Sequence, residues 1–150
     1  MEKRGTLGGT CLNVGCIPSK TLLNISHKYH DAKHHYSDLG IETPNVTFDL
    51  GKIMNKKTKV VDNLTKGIEM LFKKNKVDYI KGIGKFTDPN TLLVEQLDGS
   101  TKTLKSKNYI IATGSEPNNL PGGVLPVDEN RVVSSTGKLY IYINFFLFLD

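Results

Sequence analysis

Residues 8–20 read GGTCLNVGCIPSK and hold both cysteines of a 150-residue chain, Cys11 and Cys16. Any fold containing this stretch must accommodate a C-x4-C pair with Gly15 inside it and Pro18 just after it. In a regular helix, residues five apart are separated by a rise of about 7.5 Å and point in different directions. Their Cα atoms would then lie beyond the roughly 7 Å that a disulfide tolerates. Bridging them needs a distorted turn, and the sequence provides for one. Gly15 can adopt unusual backbone angles, while Pro18 removes a helix donor and crowds the carbonyl of Val14.

Three chemistries compete for such a pair. A structural zinc site draws four Cys or His ligands, often in C-x2-C or H-x3-H pairs, and here no histidine occurs before His27. A structural disulfide closing so small a loop removes only on the order of 2 kcal/mol of unfolded-state entropy. A redox dithiol fits better, because a strained bridge is more reducible than a structural one. Free thiols at a helix start are also expected to have lowered pKa values, since the helix dipole favours a thiolate. Two inert buried thiols stay open as the alternative at this point.

Composition narrows the partners. Two cysteines are too few for a secreted disulfide scaffold. The formal charge of +5 is carried mostly by lysine, which favours anionic partners in general. The basic residues are scattered, however, without paired Cys/His fingers or an aromatic RNA-binding motif, so no nucleic-acid partner is expected. No targeting segment is visible. The apolar run LYIYINFFLFL at 139–149 is roughly half the length of a bilayer-spanning helix, so no membrane partner is expected.

Beyond Pro18, apolar residues recur at steps of three and four from Leu22 through Ile25, Tyr29 and Ala32 to Tyr36, which predicts a helix stopping near Gly40. Asp49 is a candidate N-cap for a second helix running to about Lys74. Its apolar stripe contains Leu50, Ile53, Met54, Val60, Val61, Leu64, Ile68, Leu71 and Phe72. The two helices are expected to pair. KVDYIKGIGKF, TLLVEQL and TKTLKS then read as short strands, with turns at Asp88-Pro89-Asn90 and Asp98-Gly99. KNYIIATGSEP reads as a buried strand. The expected fold class is α/β, an incomplete Rossmann-like domain with a long helix pair and an inserted small β-meander. His27, His30, His34 and His35 lie at helical steps. They could hold a metal, but a solvated helix face is the favoured reading.

The 8–20 stretch resembles the redox-disulfide signature of the flavin-dependent pyridine nucleotide–disulfide oxidoreductases. Within that family Leu12, Ile17 and Ser19, followed by TLLNISHKYH, are similar to the dihydrolipoyl dehydrogenases. Glutathione and trypanothione reductases more often carry valine at the first two positions and lysine at the third. Mercuric reductases share the serine and are the nearest alternative. The resemblance runs through residues 2–137, a partial FAD-binding domain. Residues 138–150 are expected to be an unrelated apolar tail, and the first strand and G-x-G-x-x-G loop are expected to precede Met1.

The resemblance implies roles. Cys16 would be the thiol nearest the flavin, in charge-transfer contact with it, and Cys11 the interchange thiol, also among the cofactor contacts. Glu2 would accept hydrogen bonds from the adenosine ribose of FAD, as acidic residues at strand ends do in such folds. Gly8, Gly9 and Thr10 would run beside the pyrophosphate. Lys20 would approach the reactive flavin nitrogen. Gly84 would meet the adenine, and Thr113, Gly114 and Ser115 would lie over the FAD. The implied reaction passes two electrons from dihydrolipoamide through the disulfide and FAD to NAD⁺. The implied partners are the lipoyl groups of 2-oxo acid dehydrogenase complexes and a second copy in a homodimer. The implied place is the mitochondrial matrix in a eukaryote and the cytoplasm otherwise. The NAD domain and the proton-handling His–Glu pair would lie outside these residues, so the chain alone is expected to bind FAD weakly and to be inactive. Another disulfide reductase, such as mercuric or glutathione reductase, and a non-catalytic truncated product are the rival readings.

Overall fold

The computed structural model describes residues 1–123 and 125–140. Two helices meet at the cysteines: α1 (Gly9–Val14) and α2 (Cys16–His34) are separated by Gly15 alone. A Cβ on Gly15 would lie 2.9 Å from the Thr10 carbonyl oxygen and 3.1 Å from Cys11 Cα. Only glycine lets the helices meet this closely. Pro18 is buried in the first turn of α2, where its missing N–H would have had no helical partner anyway. The first amide to close a turn is Ser19, which donates to the Gly15 carbonyl at 3.1 Å. α2 therefore begins before the proline and ends at His34, both earlier than the apolar pattern predicts. The helix α1 was not expected at all.

α3 (Leu50–Lys74) starts on its expected cap. Asp49 Oδ1 accepts the Lys52 N–H at 2.9 Å, and that bond holds the carboxyl below its ordinary range. Met54 and Val61 are buried on its inner face, and so are the polar Lys57 and Thr65. These four positions follow one another at steps of three and four, so they share one stripe. α2 packs against α3. The connection between them is pinned by Thr43 Oγ1, which donates to the Ala32 carbonyl, and by Tyr29 meeting Phe48 edge-on with centroids 5.4 Å apart.

The meander forms as expected, except that its first strand starts at Gly82 instead of spanning KVDYIKGIGKF. β1 (Gly82–Asp88), β2 (Thr91–Gln96) and β3 (Thr101–Lys105) form an antiparallel sheet in sequence order. Its buried side is built on Leu92 and Val94. Asp88 and Asp98 close the two turns by accepting the Asn90 and Ser100 N–H groups, the Asx geometry that favours aspartate there. Among the described residues, parallel pairing is limited to the bridge between Glu2 and Lys81. There the Glu2 N–H donates to Ile80 and the Gly82 N–H to Glu2, both at 3.0 Å.

KNYIIATGSEP departs from expectation. It forms no strand, and Ile110 and Ile111 are 94% and 76% exposed. A strand must hydrogen-bond to a neighbouring edge, and none of the described strands runs beside this segment. Side chains anchor it instead. The Tyr109 hydroxyl donates to the Asn90 carbonyl at 2.8 Å, and its ring meets Phe86 edge-on at 4.9 Å. The expected domain boundary at 137 falls inside α4 (Ser135–Lys138). Residues 141–150 of the expected tail lie outside the described residues.

Candidate active site

Cys11 lies within α1 and Cys16 opens α2, so the one-residue break at Gly15 places a thiol on each side. Both are free and exposed, which removes the reading of two inert buried thiols. The Cys11 thiol is pushed up from its ordinary value, first by a side-chain hydrogen bond with Cys16, then by desolvation and by the Cys16 charge. This corrects the expected lowering for Cys11. A six-residue helix has a small dipole, and the adjacent thiol outweighs it because a thiolate on Cys11 would face a second sulfur of the same sign. Lys20 sits one turn beyond Cys16 on the same face of α2, and it is exposed.

Asn13 organises the segment between the cysteines, a role the sequence reading did not assign. It is buried, and its Nδ2 donates to the carbonyls of Leu7 at 3.1 Å and Gly9 at 3.0 Å. Those bonds hold the turn through Gly8, which caps α1 at φ 111°, a conformation open mainly to glycine. The Asn13 carbonyl accepts the Tyr140 hydroxyl at 2.9 Å, which satisfies one of the carbonyls left open at the end of α1. Tyr140 also covers Lys57, whose Nζ lies 3.9 Å from the ring centroid and donates to the Leu139 carbonyl at 2.7 Å. Lys57 is 1% exposed, and burial lowers its pKa.

The nominated nucleotide-side residues fall into two groups. Glu2 and Ser115 are joined through Arg4, whose N–H donates to Glu2 Oε1 at 2.9 Å and whose Nη2 donates to the Ser115 carbonyl at 3.1 Å. Lys3 pairs with Glu116 beside them. Thr113 and Gly114 are exposed with Ser115 on the same segment. Gly84 lies in β1 against the N-terminus, where a Cβ would come within 2.7 Å of the Met1 sulfur. Gly8, Gly9 and Thr10 lie on the cysteine-bearing segment, with Gly9 and Thr10 already in α1 rather than in a loop.

Arg4 was also unassigned. Its Nη1 is buried with no hydrogen-bond partner, and it borders a cavity of about 420 Å³ lined also by Val14, Glu116, Ser134 and Thr136. A buried donor of this kind calls for an acceptor, and a nucleotide cofactor supplies several.

A family model for the pyridine nucleotide-disulphide oxidoreductases matches residues 3–141. The chain belongs to that family. Family membership implies flavin binding, and the unpartnered Arg4 nitrogen fits a cofactor rich in acceptors. The chain is 58% identical over 139 residues to leghemoglobin reductase of Vigna unguiculata, covering 93% of this chain and 26% of that protein. It is 55% identical over 139 residues to mitochondrial dihydrolipoyl dehydrogenase of Pisum sativum, with 93% and 27% covered. The corresponding enzyme of Schizosaccharomyces pombe is 57% identical over 140 residues, with the same coverage. The chain thus spans about a quarter of the length of these relatives. A crystal structure of LpdA from Mycobacterium tuberculosis shares the fold, with a TM-score of 0.79 at 20% identity over 92% of this chain and 30% of that one. Among the described residues no helix is long and apolar enough to cross a membrane.

Proposed function

We propose that Cys11 and Cys16 are the redox dithiol of a flavoprotein of the dihydrolipoyl dehydrogenase type, acting on the lipoyl groups of 2-oxo acid dehydrogenase complexes. One observation carries this reading: two exposed thiols set on either side of a one-residue helix break, with Cys16 the main influence on the Cys11 pKa. In the oxidised form, a dihydrolipoyl thiolate attacks Cys11 Sγ. The Cys11–Cys16 bond breaks, Cys16 leaves as a thiolate, and a mixed disulfide forms. The second substrate thiol then attacks the substrate sulfur of that mixed disulfide, closing the lipoyl ring and releasing Cys11. Two electrons and two protons have moved from substrate to the cysteine pair. FAD, when bound, would supply the acceptor for that electron pair and a route for it to NAD⁺.

In this reading Glu2, Gly84 and the 113–115 segment hold the adenosine side of FAD. Gly8, Gly9, Thr10 and Cys11 line its pyrophosphate and flavin side, and Lys20 supplies a cation near the ring. Arg4 adds its free Nη1 donor, which supports a ligand at the Glu2–Ser115 junction. Relatives named as mitochondrial enzymes support a place in the mitochondrial matrix, and the whole protein is read as a homodimer.

The test uses the oxidised chain and dihydrolipoamide. The expected result is stoichiometric reduction of the protein disulfide, seen as two newly alkylated cysteines by mass spectrometry. With oxidised lipoamide in place of dihydrolipoamide, the Cys11 thiolate of Cys16→Ser should open the lipoyl ring, one ring sulfur bonding to Cys11 and the other leaving as a thiolate, and so trap a lipoyl adduct on Cys11. An oxidised pair that withstands excess dihydrolipoamide, or an adduct that forms on Cys16 instead in Cys11→Ser with equal ease, overturns the assignment.

A further inference from the structure

The far end of α2 reads HKYHDAKHH. It lies about 20 Å along the helix axis from Cys16, so it is separate from the dithiol. His30, Asp31 and His35 each present one ligand atom there, and these atoms all fall within 4.8 Å of one another. His30 Nδ1 is 3.9 Å from Asp31 Oδ1. The His30 ring centroid is 4.8 Å from that of His34 and 5.2 Å from that of His35.

The helix explains half of this arrangement and its ending explains the rest. His30 and His34 are one turn apart and share a face. His35 would point elsewhere in a continuing helix, but it is the C-cap, at φ −123°, with its N–H on the Asp31 carbonyl. Leaving the helix swings its imidazole back towards His30. Both His30 and His35 are exposed, so their rings can turn and close to the roughly 2.0–2.1 Å that a metal–imidazole bond needs. The electrostatics suit a cation, since helix C-termini are partially negative and Asp31 adds a carboxylate. The nearby Lys33 ammonium lies over the Tyr29 ring at 5.9 Å, one turn back.

We propose that His30, Asp31 and His35 form a binding site for a divalent transition-metal ion, with His34 as a further donor. Two or three imidazoles with one carboxylate select Zn²⁺, Ni²⁺ or Cu²⁺ over Mg²⁺ and Ca²⁺, which take oxygen ligands. A bound ion would fasten the last turn of α2 and stabilise the folded chain in proportion to its occupancy.

The experiment is calorimetric titration of Ni²⁺ into the 150-residue chain with both thiols alkylated, which keeps the dithiol from competing. One saturable site is expected, with no response to Mg²⁺. His30→Gln and His35→Gln should each weaken binding by about tenfold or more, and His27→Gln should leave it within about twofold. Ni²⁺ should also raise the thermal midpoint of the unsubstituted chain and not that of His30→Gln. All three positions are exposed, and an unchanged far-UV spectrum checks that the variants fold. Absence of a saturable site, or affinity in His30→Gln or His35→Gln equal to that of the unsubstituted chain, or a loss in His27→Gln as large as theirs, overturns the proposal.

Discussion

Cys11 shows how a neighbour reverses an intrinsic tendency. Placement in a helix favours a thiolate, yet the hydrogen bond with Cys16 and the charge that Cys16 can carry raise the Cys11 pKa. A raised pKa means a smaller thiolate fraction at any pH below it. Cys16→Ala removes both of those causes, so the Cys11 pKa should fall and its thiolate fraction should grow. The expected outcome is faster iodoacetamide alkylation of Cys11 at about pH 8, with the rate–pH midpoint moved to lower pH. An unchanged or slower rate would mean that Cys16 is not the cause. The cysteines themselves were readable in the sequence because their spacing and flanking residues restrict the backbone. Asn13, lying between them, was not. Its importance comes from two carbonyls, Leu7 and Gly9, and no side-chain pattern reports where carbonyls point.

The helix α3 carries an anomaly of its own. The apolar stripe was readable from its period, but Lys57 occupies a buried place on it. Lys57 has a carbonyl and a ring face as partners, and no carboxylate pairs with it among the described residues. Burial lowers its pKa, so the fold disfavours the charged form. The unfolded chain therefore holds this proton to higher pH than the folded one. Between the lowered value and the ordinary 10.5, the Lys57 contribution to stability rises with pH. Lys57→Met keeps the apolar stem and removes the charge, so it should raise the thermal midpoint at neutral pH and abolish that slope. Lys57→Ala leaves a void and should cost about 2 kcal/mol or more. If both variants destabilise equally, the ammonium is a net stabiliser and this account fails. Tyr140→Phe loses the bond to the Asn13 carbonyl and should cost about 0.5–1 kcal/mol in chemical denaturation.

The two ends of the chain meet through these contacts. Leu139 and Tyr140 lie on Lys57 and Asn13, whereas residues 141–149, IYINFFLFL, carry no charge or proline and have the composition of an aggregation-prone segment. Two truncations separate these roles. Ending the chain at residue 140 should raise soluble yield and leave the thermal midpoint unchanged. Ending it at residue 137 should lower the midpoint, because the Leu139 carbonyl and the Tyr140 ring and hydroxyl are lost together. Equal midpoints for the two truncated chains would show that Tyr140 contributes nothing to the fold.

The elements that were readable in advance are those whose signals are local. Asp49 caps α3 through an amide three residues on, and the meander turns are closed by aspartates two residues before their donors. Local chemistry of this kind is written in consecutive residues. The family resemblance belongs to the same class, since GGTCLNVGCIPSK is continuous. Contacts between distant segments are different. The Arg4 link to Ser115 spans 111 residues and the Tyr140 link to Asn13 spans 127, and no local pattern encodes either. KNYIIATGSEP shows the same limit from the other side. Its composition is that of a strand, but a strand exists only when a neighbouring edge supplies hydrogen-bond partners. Whether an edge arrives is settled by the packing of the whole chain.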